Sequence, residues 1–241
     1  MKTSIFYILT PLLIEWIVSG FVYLVFPTIG NIGVLEVTAI SAVFTSIVIF
    51  CLYKTELQLS EYGKFQKRDL GELFVLGCFS SLAFNGVVFL SGITNLSESY
   101  KHVTEGIYHS HIAVQILTSC VLSPMMEELV YRGMVFRRMR ATMNFIPSLV
   151  ISSMIFGIMH GNLVQGIYAF LVGIVLGVCY EYHKTLVAPY ILHAIVNMVS
   201  LVFTWSGAFI IFKKHWLVWL SVVTMGLAFI GRKCWKMLQK C

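Results

Sequence analysis

Eight apolar runs, most of them near 20 residues long, follow one another along this 241-residue chain, with short polar segments between them. A helical run of that length matches the thickness of the hydrocarbon core of a bilayer. Lipid offers a backbone no hydrogen-bond partner, so a spanning segment satisfies its own N–H and C=O groups as a helix. We therefore expect an all-α fold: a polytopic membrane protein with a single bundle of about eight transmembrane helices. The expected spans are about 5–26, 34–53, 70–93, 111–136, 146–160, 163–180, 185–212 and 216–230.

The charges of the chain indicate how these helices are oriented. Only 12% of the residues are charged, against about 25% in soluble domains. The net charge of +6 is therefore interpreted as a topology signal, and no nucleic-acid partner is expected. Of the 17 Lys and Arg residues, all but Lys101, Lys213 and Lys214 fall on the side of the two termini. Because basic loops stay in the cytoplasm, we expect both termini there, with the basic tail as an anchor to anionic lipid. The compact chain with its short loops favours an integral protein of the bacterial plasma membrane, with the ER membrane as the alternative.

The fourth run contains two adjacent carboxylates and an arginine, Glu127, Glu128 and Arg132. A charge in lipid costs roughly 2.5–3.5 kcal/mol, so such groups persist where they are paired or face the protein interior. Glu128 and Arg132 are four residues apart with the acid first, the favourable order for an ion pair on one helix face. Glu127 lies about 100° around the helix and has no such partner, which makes it the candidate functional carboxylate.

Two later runs each contain a pair of residues at a spacing of four, Phe156 with His160 and His193 with Asn197. Residues four apart share a helix face. Counted from the expected cytoplasmic boundary (Arg137, Pro147 and Lys184), Glu127, His160 and His193 lie roughly 15, 20 and 13 Å deep. With ordinary helix tilts we expect them to meet inside the bilayer. A single membrane histidine also serves as a structural hydrogen bond between helices, so either histidine alone would leave both interpretations open.

Two other features are interpreted as structural, with no role in the chemistry. Ala169, Gly173 and Gly177, spaced by four, predict a seam where another helix approaches closely. Glu15 and Glu36 are single acids in or near apolar runs, and we expect them to have packing or interfacial roles.

Three motifs stand in order in these runs: Glu127-Glu128-x-x-x-Arg132, Phe156-x-x-x-His160 and His193-x-x-x-Asn197. Together they resemble the CPBP family, the intramembrane proteases that include the CAAX prenyl endoproteases and the bacterial Abi and bacteriocin-immunity proteins. The similarity covers about residues 110–200. It implies a catalytic core at 110–205, preceded by motif-free transmembrane helices at 1–109. The last transmembrane helix and the basic cytoplasmic tail would follow at 206–241.

The resemblance also implies roles for individual residues. Glu127 with His160 would activate a water for attack on a peptide carbonyl, and His193 and Asn197 would stabilise the oxyanion. The residues expected to support these four are Glu128, Arg132 and Phe156. Catalysis without a cofactor is the first expectation, because His193 and Asn197 on one face form a pair of donors. In the alternative, Glu127, His160 and His193 would bind Zn²⁺ and leave one position for water.

The expected function is that of an intramembrane endopeptidase. Its partner would be a peptide or protein substrate at the membrane: a prenylated tail, a leader peptide or a segment of a membrane protein. A non-catalytic bacteriocin-immunity or scaffold protein with the same fold is the alternative. A proton-relaying transporter is a third hypothesis, which the lack of a visible inverted repeat disfavours.

Overall fold

The computed structural model describes residues 5–29, 32–58, 65–95, 97–208 and 215–241. Nine helices and one 3₁₀ turn occur in these ranges, which contain no strand, and the all-α prediction is confirmed. Seven helices are long and apolar enough to cross a membrane, and an eighth, Phe145–Ile158, is apolar but shorter. The helices are α1 (Ile5–Ile29), α2 (Val34–Gln58), α3 (Asp69–Leu90), α4 (Glu98–His109), α5 (Ile112–Arg140), α6 (Phe145–Ile158), α7 (Leu163–His183), α8 (Val187–Trp205) and α9 (Trp216–Leu238).

Three boundaries differ from those expected. The polar stretch before α5 forms the amphipathic helix α4, whose N-terminus is capped by the side chain of Ser97 and which buries none of its residues. Helix α8 ends at Trp205 and not near residue 212, because Gly207 adopts a left-handed conformation with φ of 66°. Lys213 and Lys214 lie outside the described residues. Helix α9 continues to Leu238, so most of the basic tail is helical.

The interior of the bundle lies where α3, α7, α8 and α9 pack together, and it contains the fully buried Leu76, Leu176 and Leu192. The predicted small-residue seam of α7 faces α6. A Cβ on Gly173 would lie 3.1 Å from the Cβ of Ser153, and one on Gly177 would clash with a methyl of Leu149. The missing side chains therefore let α6 and α7 approach closely, as the spacing predicts.

Ion pairs gather the charged loops at one end of the bundle, which we call the basic end. Arg138 of α5 pairs with Glu56 of α2 at 2.8 Å, and Arg140 pairs with Glu181 of α7 at 3.0 Å. Lys233 of α9 pairs with Glu72 of α3. These helix ends are the ones that the distribution of Lys and Arg assigns to a single side of the membrane. That this side faces the cytoplasm remains a prediction.

Candidate active site

Helix α5 carries the two adjacent carboxylates, and its winding is irregular around them. The segments Leu117–Leu122 and Glu128–Phe136 are wound as π-helix, with hydrogen bonds to the fifth preceding residue, a form often found at functional sites. In the first segment the N–H of Ser123 bonds to the carbonyl of Thr118. The next residue, Pro124, has no N–H. The carbonyl of Ser119 therefore receives a hydrogen bond from neither Ser123 nor Pro124.

Asn197 of α8 supplies the missing donor. Its Nδ2 donates to the carbonyl oxygen of Ser119 at 2.8 Å. A carbonyl without a donor inside a bilayer would be costly, so this contact explains an asparagine at this position. The amide nitrogen has a second hydrogen, which Ser119 does not use.

The predicted pair of Glu128 and Arg132 forms, at 2.9 Å, with side chains that are 2% and 4% exposed. The same oxygen of Glu128, Oε1, lies 2.9 Å from Nδ1 of His193. Arg132 also donates to the carbonyl of Gly173 at 3.3 Å, and its guanidinium lies 4.6 Å from the centre of the Phe156 ring. This buried pair therefore positions the imidazole of His193.

Glu127 contacts the other side of the same imidazole. Its Oε2 lies 3.5 Å from Nε2 of His193, and its side chain is 17% exposed. An ionised carboxylate only accepts hydrogen bonds, so Nδ1 of His193 donates to Glu128 and Nε2 faces Glu127. The residue that the sequence left without a local partner thus meets a histidine from α8.

His160 lies just beyond the end of α6, half-buried, and its hydrogen bond goes to its own helix and not to Glu127. Its Nδ1 is 2.8 Å from the carbonyl oxygen of Phe156. Because a carbonyl only accepts, Nδ1 carries the hydrogen and Nε2 is left as an acceptor. The ring of Phe156 lies edge-on to both imidazoles, 4.9 Å from His160 and 5.9 Å from His193. The structure thus brings Glu127 and His193 into contact and places His160 next to them, across Phe156.

The zinc alternative requires Glu127, His160 and His193 to surround one point. Among the residues that the structure describes, no three His, Cys, Asp or Glu side chains are grouped closely enough to hold a metal ion. Nδ1 of His193 is bonded to Glu128, and its Nε2 lies 3.5 Å from Glu127, while Nδ1 of His160 is bonded to the carbonyl of Phe156. In this arrangement the three residues do not fit a zinc site.

Two residues that sequence analysis did not assign to the site lie next to it. The hydroxyl of Tyr131 donates to both carboxylate oxygens of Glu15, at 3.0 and 3.3 Å. The ring of Tyr131 packs against Phe156, with centroids 4.9 Å apart. Glu15 also lies close enough to Glu127 for the two charges to interact. The sequence contained one sign that Tyr131 belongs to the site: it follows Glu127 by four residues, a spacing that places both on one helix face.

Comparisons with known proteins agree with the motifs. Residues 109–199 match the model of the family described as type II CAAX prenyl endopeptidase Rce1-like. A protein of Bacillus subtilis (strain 168) named "Putative membrane peptidase YdiL" is 26% identical over 128 residues, which cover 51% of this chain and 52% of that relative. The match thus spans about half of either protein. No solved structure matches the chain significantly. The resemblance to the CPBP family of intramembrane proteases is thereby confirmed.

Proposed function

We propose that this chain is an intramembrane endopeptidase of the CPBP type, which hydrolyses a peptide bond in a membrane-associated, prenylated or leader-peptide substrate. The observation that carries this proposal is the position of His193 between two carboxylates, Glu128 at Nδ1 and Glu127 at Nε2. A purely structural bundle would not need three ionisable groups whose insertion into lipid is costly. Hydrolysis needs a group that removes a proton from water and a group that stabilises negative charge, and this arrangement supports both.

Glu127 is the proposed general base. It is poorly solvated yet still 17% exposed, so it can reach a water that enters the site. As this carboxylate takes a proton, the water oxygen bonds to the peptide carbonyl carbon and the C=O electron pair moves onto the carbonyl oxygen. Nε2 of His160 is a second acceptor for a hydrogen of that water, since its Nδ1–H is held by Phe156.

His193 is the proposed partner of the oxyanion. With Nδ1–H bonded to Glu128, an imidazolium would present Nε2–H to the negative oxygen. Since Arg132 already balances the charge of Glu128, the charge of this imidazolium would be balanced by Glu127 before the proton transfer and by the oxyanion after it. The second amide hydrogen of Asn197 is a further donor. Each such donor is worth about 2.7–4 kcal/mol in comparable sites. When the C–N bond breaks, the proton on Glu127 passes to the leaving nitrogen, which gives a carboxylic acid and an amine. The proton of the acid then passes to the amine, so that a carboxylate and an ammonium group are released and Glu127 is ionised again.

The test uses the purified full chain in nanodiscs, with a fluorogenic prenylated peptide and a set of hydrophobic leader peptides. Glu127→Gln keeps the shape of the side chain but removes the base, and we expect cleavage to fall at least about 100-fold. Glu98→Gln on α4, an exposed acid that pairs with Lys101, is the matched control and should cleave normally. Each reaction is repeated with a strong chelator. Activity that is lost with chelator and restored by zinc would replace the metal-free mechanism with a metal-dependent one.

The same variant tests the non-catalytic alternative. If wild type cleaves no peptide and Glu127→Gln fully protects cells in an immunity or signalling assay, a binding role replaces the proposed protease.

A further inference from the structure

Helix α9 begins and ends with an exposed tryptophan. Trp216 is 58% exposed and Trp235 is 64% exposed. They are 19 positions apart, which along an α-helix is about 28 Å and close to the roughly 30 Å thickness of a bilayer's hydrocarbon core. Tryptophan concentrates at the two membrane–water interfaces. A plane through Trp235 therefore marks the level of the lipid headgroups at the basic end.

A polar cavity of about 530 Å³ opens at the same end of α9 as Trp235, and Lys236, the next residue, lines it. It lies where the start of α3 meets the ends of α7 and α9, and its volume is in the range of small-molecule sites. Its lining includes four basic side chains and two acidic ones: Arg68, Lys233, Lys236, Lys240, Asp69 and Glu72. The lining therefore has two positive charges in excess.

Both acidic side chains of this cavity already lie next to a basic side chain. Glu72 pairs with Lys233, and Asp69 lies 3.9 Å from Arg68. Lys236 and Lys240 form no ion pair with any residue that the structure describes. Both are exposed and both line the cavity, Lys236 from the last turn of α9 and Lys240 from the turn that follows the helix. The excess positive charge is thus concentrated on two lysines at the level of the headgroups.

We propose that this cavity binds the phosphate-bearing headgroup of an anionic phospholipid. Lysine ammonium groups are common phosphate ligands, and basic pockets at this depth of a membrane protein bind such headgroups. The hydroxyl of Tyr182, which also lines the cavity, is a further hydrogen-bond donor to a phosphate oxygen. The site shares no residue with Glu127 and its partners, so the proposal stands apart from proteolysis.

The experiment titrates the full chain in neutral detergent with phosphatidylglycerol and, separately, with phosphatidylcholine, and counts bound lipids by native mass spectrometry. Lys236→Gln removes one cation from the cavity. Arg232→Gln removes one cation from the same helix outside the cavity, and Arg232 is exposed like Lys236. We expect wild type to prefer phosphatidylglycerol and Lys236→Gln to weaken its binding about tenfold, as expected for a lost charge-assisted hydrogen bond. Lys240→Gln should weaken it similarly.

Thermal unfolding in neutral detergent shows whether each variant is folded, and the comparison uses variants that melt like wild type. Equal losses in Lys236→Gln and Arg232→Gln would overturn the proposal in favour of diffuse attraction. Undiminished phosphatidylglycerol binding in both Lys236→Gln and Lys240→Gln would overturn it as well. Inorganic phosphate is added in a separate arm. If it displaces phosphatidylglycerol at concentrations no higher than those of the lipid itself, free phosphate is the ligand and the lipid assignment is wrong.

Discussion

Oε1 of Glu128 accepts hydrogen bonds from both Arg132 and His193, each at 2.9 Å. Arg132 lies one turn further along α5, whereas His193 lies on α8. Since Arg132 also donates to the carbonyl of Gly173 on α7, one buried cluster connects three helices. The orientation of the candidate catalytic imidazole therefore depends on an ion pair in a different helix.

The first prediction concerns this ion pair. Arg132→Met should lower the free energy of unfolding by about 3–5 kcal/mol, because it removes the guanidinium that pairs with the buried carboxylate of Glu128. Glu128→Gln in the same chain removes that charge, so the double variant should lose less than the sum of the two single losses. Denaturant unfolding in micelles measures all three variants. Additive losses would show that the two side chains do not act as a pair.

The second prediction concerns the amide of Asn197 and Pro124, which lies five residues after Ser119 and has no N–H to donate to the Ser119 carbonyl. Asn197→Ala removes the donor to the Ser119 carbonyl and should destabilise the protein by about 1–3 kcal/mol. Pro124→Ala supplies a backbone N–H that can bond to this carbonyl. In a Pro124→Ala background, the free energy lost through Asn197→Ala should therefore be smaller. If the loss is the same in both backgrounds, Asn197 does not compensate for the missing N–H.

The apolar runs predicted the membrane helices well, since lipid leaves a run of that length only one regular structure. The pair of Glu128 and Arg132 was predictable for a similar reason, because both residues lie on one helix at a favourable spacing. Helix α4 was missed because its amphipathic pattern lies in a polar stretch that a search for apolar runs passes over.

The contacts between helices could not be predicted from the sequence. His193 and Glu128 are 65 positions apart, and nothing local states which face of α8 meets α5. A projection at 100° per residue is also only approximate over more than one turn of α5, because two of its segments are π-helical. Sequence analysis drew nothing from Pro124, although a proline inside an apolar run leaves a preceding carbonyl without its usual N–H donor. Even so, it could not have identified Asn197 as the side chain that binds this carbonyl.

The third prediction concerns the hydroxyl of Tyr131. Tyr131→Phe keeps the ring that packs against Phe156 but removes the donor to Glu15, and it should destabilise the protein by about 1.5–3 kcal/mol. In a Glu15→Gln background the side chain still accepts a hydrogen bond but carries no charge, so the same change should cost only about 0.5–1.5 kcal/mol. Thermal unfolding of the four proteins checks this. Equal losses in both backgrounds would mean that the hydrogen bond from Tyr131 does not stabilise the charge of Glu15.

The last prediction concerns the close approach of α6 and α7 beside the site. A Cβ on Gly157 would lie 2.6 Å from the carbonyl oxygen of Gly166, a backbone atom that cannot move aside like a side chain. Gly157→Ala should therefore push the helices apart, displace the neighbouring Phe156, and lower the free energy of unfolding by about 1–3 kcal/mol along with the cleavage rate. Gly71→Ala on α3 is the matched control, since its Cβ would meet nothing within 4 Å, and it should stabilise the protein by about 0.4–1 kcal/mol. Because the two substitutions add the same methyl group to a helix, opposite signs would locate the effect in the contact between α6 and α7. A Gly157→Ala protein with unchanged stability and cleavage would show that this contact does not position the site.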